Sequence, residues 1–128
     1  MEQFKKILVV DDSPTSLYLL ENMFQGNYLV ITAASGEAAI KYLETNTPDL
    51  ILLDIMMPHI SGIDVLERIR KTERLKDLPV IIISAITDEI YIEKARNLGV
   101  NHYVTKPINV EELIQLVSNL LKTPNNNS

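Results

Sequence analysis

Leu50-Ile51-Leu52-Leu53-Asp54-Ile55-Met56-Met57-Pro58 drives four aliphatic residues straight into an aspartate and reaches a proline four residues later. An unbroken apolar run this short, bounded by turn residues, reads as a strand buried on both faces. A carboxylate without a partner is costly to bury. Asp54 is therefore expected at the exit of that strand, where a partner or solvent can meet it.

Four further apolar, β-rich runs accompany this one, at residues 7–10, 28–32, 80–84 and 102–105. Successive runs begin about 20 to 30 residues apart, the length of a strand-helix unit. The segments between them carry helical signals. Ser13 can cap a first helix with Pro14 at its first position; Leu17, Leu20 and Phe24 then share a face, and Gly26 ends it. Ser35 or Gly36 opens a second helix lined by Ala39, Ile40 and Leu43. Ser61-Gly62 opens a third, with Ile63, Leu66 and either Ile69 or Arg70 spaced by turns. Thr87 is the expected cap of a fourth, which Gly99 closes. Asn109 and Glu112 have capping-box spacing ahead of the apolar stripe Leu113, Leu116, Val117, Leu120 and Leu121. Alternation of this kind predicts an α/β fold: a doubly wound, five-stranded parallel sheet with five helices on both faces.

Composition sets limits. The chain has 128 residues, enough for one domain, with ordinary globular proportions of 46% hydrophobic and 23% charged residues. We expect the domain to occupy residues 1–122 and residues 123–128 to form a polar tail or the start of a linker. Cysteine is absent, which excludes disulfides and thiolate metal sites and fits a reducing cytoplasm. No apolar run approaches the length of a signal peptide core or a membrane span. The net charge is -5 and no basic stripe exists, so neither direct nucleic-acid binding nor a membrane partner is expected.

In a doubly wound parallel sheet, ligands bind beyond the carboxyl ends of the strands. The first run ends in Asp11-Asp12, the third in Asp54 and the fourth in Ser84, and the fifth is followed by Lys106-Pro107. Three carboxylates gathered at one edge repel and raise one another's pKa unless something neutralises them. A hard divalent cation such as Mg²⁺ does so through oxygen ligands, and Lys106 adds a second positive point. A metal, a lysine and a nucleophilic carboxylate together suit phosphoryl transfer.

The stretches Ile7-Leu8-Val9-Val10-Asp11-Asp12-Ser13-Pro14, Leu53-Asp54-Ile55-Met56-Met57-Pro58, Ser84-Ala85 and Tyr103-Val104-Thr105-Lys106-Pro107 resemble the receiver domain of two-component response regulators, similar to the chemotaxis-type receiver. The likeness runs over about residues 5–121. It implies a flavodoxin-like sheet of order 2-1-3-4-5, one of the common orders of the doubly wound class. It further implies that Asp54 is the phosphoacceptor and that Asp12 binds Mg²⁺ (with Mn²⁺ as a substitute) directly, Asp11 mainly through water. The backbone carbonyl of Met56 is implied as another ligand. Ser84 and Lys106 would bind the phosphoryl group, Ser84 and Tyr103 would act as the switch, and the peptide bond before Pro107 would be cis. The implied partners are a histidine kinase or phosphotransfer protein, and an output partner or effector domain at the face of the fourth helix, fifth strand and fifth helix. The function implied is a cytoplasmic signalling domain that catalyses only its own phosphorylation and dephosphorylation.

Some positions depart from that pattern. Ser84 stands where threonine is commoner, and Met56 and Ile86 are apolar where some members carry polar residues. A long-lived phosphoaspartate is the expectation. The side chains of Met56 and Met57 read as packing, and His59 and His102 lack metal-ligand spacing. Ile90, Tyr91 and Ile92 cannot all sit on one buried stripe, so at least one should reach the surface. Asn101-His102 and the last helix lack the charges that pair in winged-helix regulators, so a monomer or weak dimer is expected.

Two other functions share parts of this pattern. An aspartate-nucleophile phosphohydrolase of the haloacid dehalogenase type needs a second aspartate two residues after the nucleophile, where this chain has Met56. Turnover of a generic phosphomonoester would reveal one. A phosphorylation-independent interaction module on the same fold would not need the full set of Asp11, Asp12, Asp54 and Lys106.

Overall fold

The computed structural model describes residues 4–122; the expected tail at residues 123–128 lies outside them. Strands and helices alternate throughout: β1 (Lys6–Val10), α1 (Pro14–Phe24), β2 (Leu29–Ala33), α2 (Gly36–Thr45), β3 (Leu50–Leu53), α3 (Gly62–Lys71), β4 (Val80–Ser84), α4 (Glu89–Asn97), β5 (His102–Thr105) and α5 (Val110–Leu121). The five strands form one parallel sheet of order β2-β1-β3-β4-β5. This is the flavodoxin-like, doubly wound topology.

Strand alternation divides the core into two layers. Leu8, Val10, Ile51, Leu53, Val80 and Ile82 face α2, α3 and α4, whose Ala39, Leu43, Ile63, Leu66, Ile69 and Ala95 complete one cluster. Ile7, Val9, Leu50, Leu52, Ile81 and Ile83 point the other way and pack with Leu20 and Phe24 of α1 and Leu113, Val117 and Leu121 of α5. Burial on both faces explains why β1, β3 and β4 are continuous apolar runs. Fully burying each such side chain contributes roughly 1.5–3 kcal/mol.

The helix starts follow the capping residues. Ser13, Ser35 and Ser61 each accept a backbone N–H of the first turn, and Ser61 forms a full capping box with Asp64. Asn109 caps α5 by accepting from Glu112 N. The expected cap of α4 is displaced by one residue: Asp88, not Thr87, accepts from Ile90 N at 2.9 Å. A carboxylate at this end also meets the positive end of the helix dipole, which a hydroxyl exploits less. β2 likewise begins one residue later than its apolar run, because Tyr28 still donates its N–H to Phe24 O behind α1. α1 ends at Phe24, with Gln25 as its C-cap, so Gly26 lies in the turn beyond. Gly99 has φ 75°, the left-handed conformation that ends α4 without a Cβ penalty.

Register brings the strand ends into line. Val10 pairs with Leu53, and Asp54 N donates to Val10 O at 2.9 Å. Ser84 pairs with Thr105, and Lys106 N donates to Ser84 O. The residues that follow each strand therefore emerge side by side at the carboxyl edge.

Candidate functional site

Asp11, Asp12 and Asp54 meet at this edge. One carboxylate oxygen from each lies within 4.8 Å of the others. Asp11 and Asp54 are buried, and Asp12 is exposed. Asp54 stands at the exit of β3 as expected, and it is partners and not solvent that meet it there. Its Oδ1 accepts from Ile55 N at 2.8 Å, and its Oδ2 lies 3.7 Å from Lys106 Nζ.

Lys106 reaches across the site from the end of β5, where its peptide bond to Pro107 is cis. Its Nζ donates to Asp11 Oδ2 at 2.9 Å and to Ser16 Oγ at 3.2 Å. The other oxygen of Asp11 accepts from Ser13 N at 2.9 Å. Ser16, in the first turn of α1, was not singled out by sequence reading. A lone helix serine carries no signal until the fold sets it beside a lysine ninety residues away.

Electrostatics follow from crowding. Burial, and next the charge of Asp11, push the Asp54 carboxyl above its ordinary value of 3.8; Lys106, the Ile55 N–H and the Ser84 hydroxyl oppose that only in part. Burial alone would lower Lys106, but its hydrogen bond to Asp11 and the charges of Asp54 and Asp11 leave it raised. The sign for stability is definite. The folded protein holds the Asp54 proton more tightly than the unfolded chain does. Stability therefore falls as pH rises from about 3.8 through the folded pKa, and the whole deficit is present above it. Metal-free Asp54→Asn should melt a few degrees above wild type at neutral pH, where about 1 kcal/mol corresponds to roughly 2–8 °C for domains near this size. In thermal melts across pH, the difference should shrink toward pH 3.5. A variant less stable than wild type at neutral pH would contradict this account.

Ser84, fully buried at the end of β4, accepts from Ile86 N at 3.1 Å. Tyr103, half-buried on β5, donates its hydroxyl to Ile86 O at 2.7 Å. The two side chains thus hold opposite ends of one residue in the loop after β4. The side chain of Met56 does not pack: it is 63% exposed, whereas Met57 is buried. His59 is exposed with φ 68°, and Ile60 N donates to Pro58 O across it at 2.8 Å, forming a γ-turn. Ile90 and Tyr91 of α4 are exposed, and Ile92 is half-buried. Asn101 pairs with the start of β4, donating its N–H to Val80 O and accepting Val80 N through Oδ1.

The donor set fits a hard dication: three carboxylates in reach of one another, with the pKa of Asp54 raised by its burial and by the charge of Asp11. No described helix is long and apolar enough to cross a membrane.

A family model for the response regulator receiver domain matches residues 7–118. The chain is 39% identical over 119 residues to the alkaline phosphatase synthesis transcriptional regulatory protein PhoP of Bacillus subtilis (strain 168), a match covering 92% of this chain and 49% of that protein. It is 36% identical over 115 residues to the hybrid signal transduction histidine kinase D of Dictyostelium discoideum, covering 90% of this chain and 7% of that protein. Among solved structures, the receiver domain of the Francisella response regulator 1452 has a TM-score of 0.82 at 36% identity, covering 92% of this chain and 97% of that one. The chain therefore spans about half the length of the first relative and a small part of the second. Receiver domains are signalling domains that work with histidine kinases and output domains, and the pocket of Asp11, Asp12 and Asp54 fits a phosphoacceptor aspartate beside a metal. By its residues 7–118 and the site they build, the chain belongs to the response regulator receiver domain family.

Proposed function

We propose that Asp54 takes a phosphoryl group from the phosphohistidine of a kinase or phosphotransfer protein, and that the resulting shift alters contacts with an output partner. The observation that carries this is the convergence of Asp11, Asp12, Asp54 and Lys106 within one small site. An Asp54 oxygen attacks phosphorus. The bond from phosphorus to the donor nitrogen breaks, and its electron pair leaves with the imidazole. Lys106 then pairs with a phosphoryl oxygen.

Mg²⁺ is the cofactor of this reading, with Mn²⁺ as a substitute. When bound, it neutralises the carboxylates and the phosphoryl oxygens. Asp12, Asp54 and the Met56 carbonyl would hold it directly. Asp11, with one oxygen on Ser13 N and the other on Lys106, would act through water. The switch begins when Ser84 turns its hydroxyl to the phosphoryl group and frees Ile86 N. The loop carbonyl that Tyr103 holds then shifts, and the ring moves with it. Phosphorylation drives this only to the extent that it binds one state better than the other. Ile90 and Tyr91 on α4, with Val110 at the start of α5, offer apolar surface on the output face. The whole of residues 4–122 acts as one receiver unit, located in the cytoplasm and catalysing no reaction beyond its own phosphorylation and dephosphorylation.

Incubation with an acyl phosphate and Mg²⁺ should add the mass of one phosphoryl group to the intact protein, and excess chelator should suppress it. Absence of an adduct on folded wild type would defeat the reading. The Met56 side chain, two residues after Asp54, is exposed and presents no group to orient water. Met56→Asn should shorten the adduct's half-life about three- to tenfold, the scale of one added hydrogen bond to the attacking water. A longer half-life in the variant would show that apolar shielding is not what preserves the adduct.

A further inference from the structure

The ammonium of Lys106 is not closest to Asp54. It is bonded to Asp11 and Ser16 and stands 3.7 Å from Asp54 Oδ2. A charge-assisted N–H···O⁻ bond closes to about 2.7–2.9 Å. Nothing among these distances makes Asp54 a poor acceptor: its carboxylate is buried, charged and within reach. The ammonium is therefore held back, and its hydrogen bonds to Asp11 and Ser16 do the holding.

Ser16 suits that task. Its backbone N–H is taken by the cap, Ser13 Oγ, at 3.3 Å. The hydroxyl thus projects from the first, anchored turn of α1 and not from a loop. Lysine has three ammonium protons and no acceptor. With two protons committed to Asp11 and Ser16, the third is left for the space between Lys106 and Asp54.

We propose that Ser16 is a positioning residue for Lys106: its hydroxyl keeps the ammonium off the bare Asp54 carboxylate, at the distance a phosphoryl oxygen will fill. This rests on the reading of Asp54 as phosphoacceptor. Without the hydroxyl, Lys106 closes its 3.7 Å ion pair with Asp54 to hydrogen-bond distance. That pair stabilises the carboxylate before attack, and it must break for the Asp54 oxygen to bond to phosphorus while the donor's leaving atom, nitrogen in a phosphohistidine or oxygen in an acyl phosphate, departs with its electron pair. Stabilising the ground state in this way slows the step.

The test uses the full chain and an acyl phosphate donor. Threonine keeps the hydroxyl; valine has nearly the same shape and lacks it. The rate constant of adduct formation at saturating donor and Mg²⁺ is read by intact mass for wild type, Ser16→Thr, Ser16→Val and Ser16→Ala. Ser16→Val and Ser16→Ala should be about three- to tenfold slower, a part of what one hydrogen bond to a charged group contributes, and Ser16→Thr should stay within about twofold of wild type. The Mg²⁺ concentration for half-maximal rate should not change, since Ser16 is no metal ligand. Equal rates in Ser16→Thr and Ser16→Val, whether fast or slow, overturn the proposal, because the hydroxyl is then irrelevant. A loss that appears only as weaker Mg²⁺ dependence overturns it too. Failure of wild type to form any adduct instead defeats the underlying reading of Asp54.

Discussion

Gly62→Ala should destabilise the protein by about 3 kcal/mol or more and slow phosphoryl uptake. A Cβ at Gly62 would stand 2.0 Å from Asp54 O and 2.8 Å from both Asp54 C and Ile55 Cα. Each of these is backbone, so no side chain can rotate away. Gly62 N also donates to Ile55 O at 2.8 Å, which pins α3 against the turn after β3. Overpacking typically costs 1–3 kcal/mol, and more where relief requires backbone movement. Here the backbone that must move carries the candidate phosphoacceptor. In denaturant melts the midpoint should fall with the slope unchanged, and Tm should drop by on the order of 10 °C. A loss below about 1 kcal/mol would mean that the turn is softer than its contacts imply.

Arg70→Met should cost about 2 kcal/mol. The Arg70 guanidinium donates to Leu98 O at 2.7 Å, Leu78 O at 2.8 Å, and Lys76 O and Gly99 O at 3.0 Å. One side chain thus satisfies carbonyls at the end of α4 and on the approach to β4. Hydrogen bonds to a charged group contribute about 1.5–3 kcal/mol each when buried. Partial exposure of these carbonyls, which water can reach after substitution, reduces the sum. Arg70→Lys should recover less than half of the loss, because an ammonium cannot reproduce the planar fork. Equilibrium unfolding of the three proteins checks this; full recovery by lysine would reduce the role of Arg70 to charge alone. Because Arg70 anchors the end of α4, its loss should also loosen the helix that presents Ile90 and Tyr91.

These two positions mark how far the sequence could be read. The fold was legible because its determinants are local. Apolar runs give the strands, and Ser13, Ser35, Ser61 and Asn109 give the helix starts. Asp11, Asp12, Asp54, Ser84 and Lys106 were legible as a set because a parallel sheet delivers the ends of its strands to one edge. What escaped depends on contacts distant in the chain. Arg70 read as one of two choices on a helix face, and only the approach of α4 gives it carbonyls to bind. Ser16 is silent until β5 arrives beside α1. Gly62 was legible as a helix opener but not as the point where α3 closely approaches the backbone of Asp54 and Ile55. Thr87 was the expected cap of α4, and the helix starts one residue later, capped by Asp88.

The central claim is that Asp54 is the residue that carries the phosphoryl group. An acyl phosphate on aspartate is reduced by borohydride to homoserine, whereas a phosphate ester or phosphohistidine is not converted in this way. Wild-type protein treated with an acyl phosphate and Mg²⁺, then reduced, digested and sequenced by mass spectrometry, should carry homoserine at position 54 and aspartate at positions 11 and 12. Homoserine at position 11 or 12, or a phosphoryl adduct that leaves position 54 as aspartate, would contradict the account.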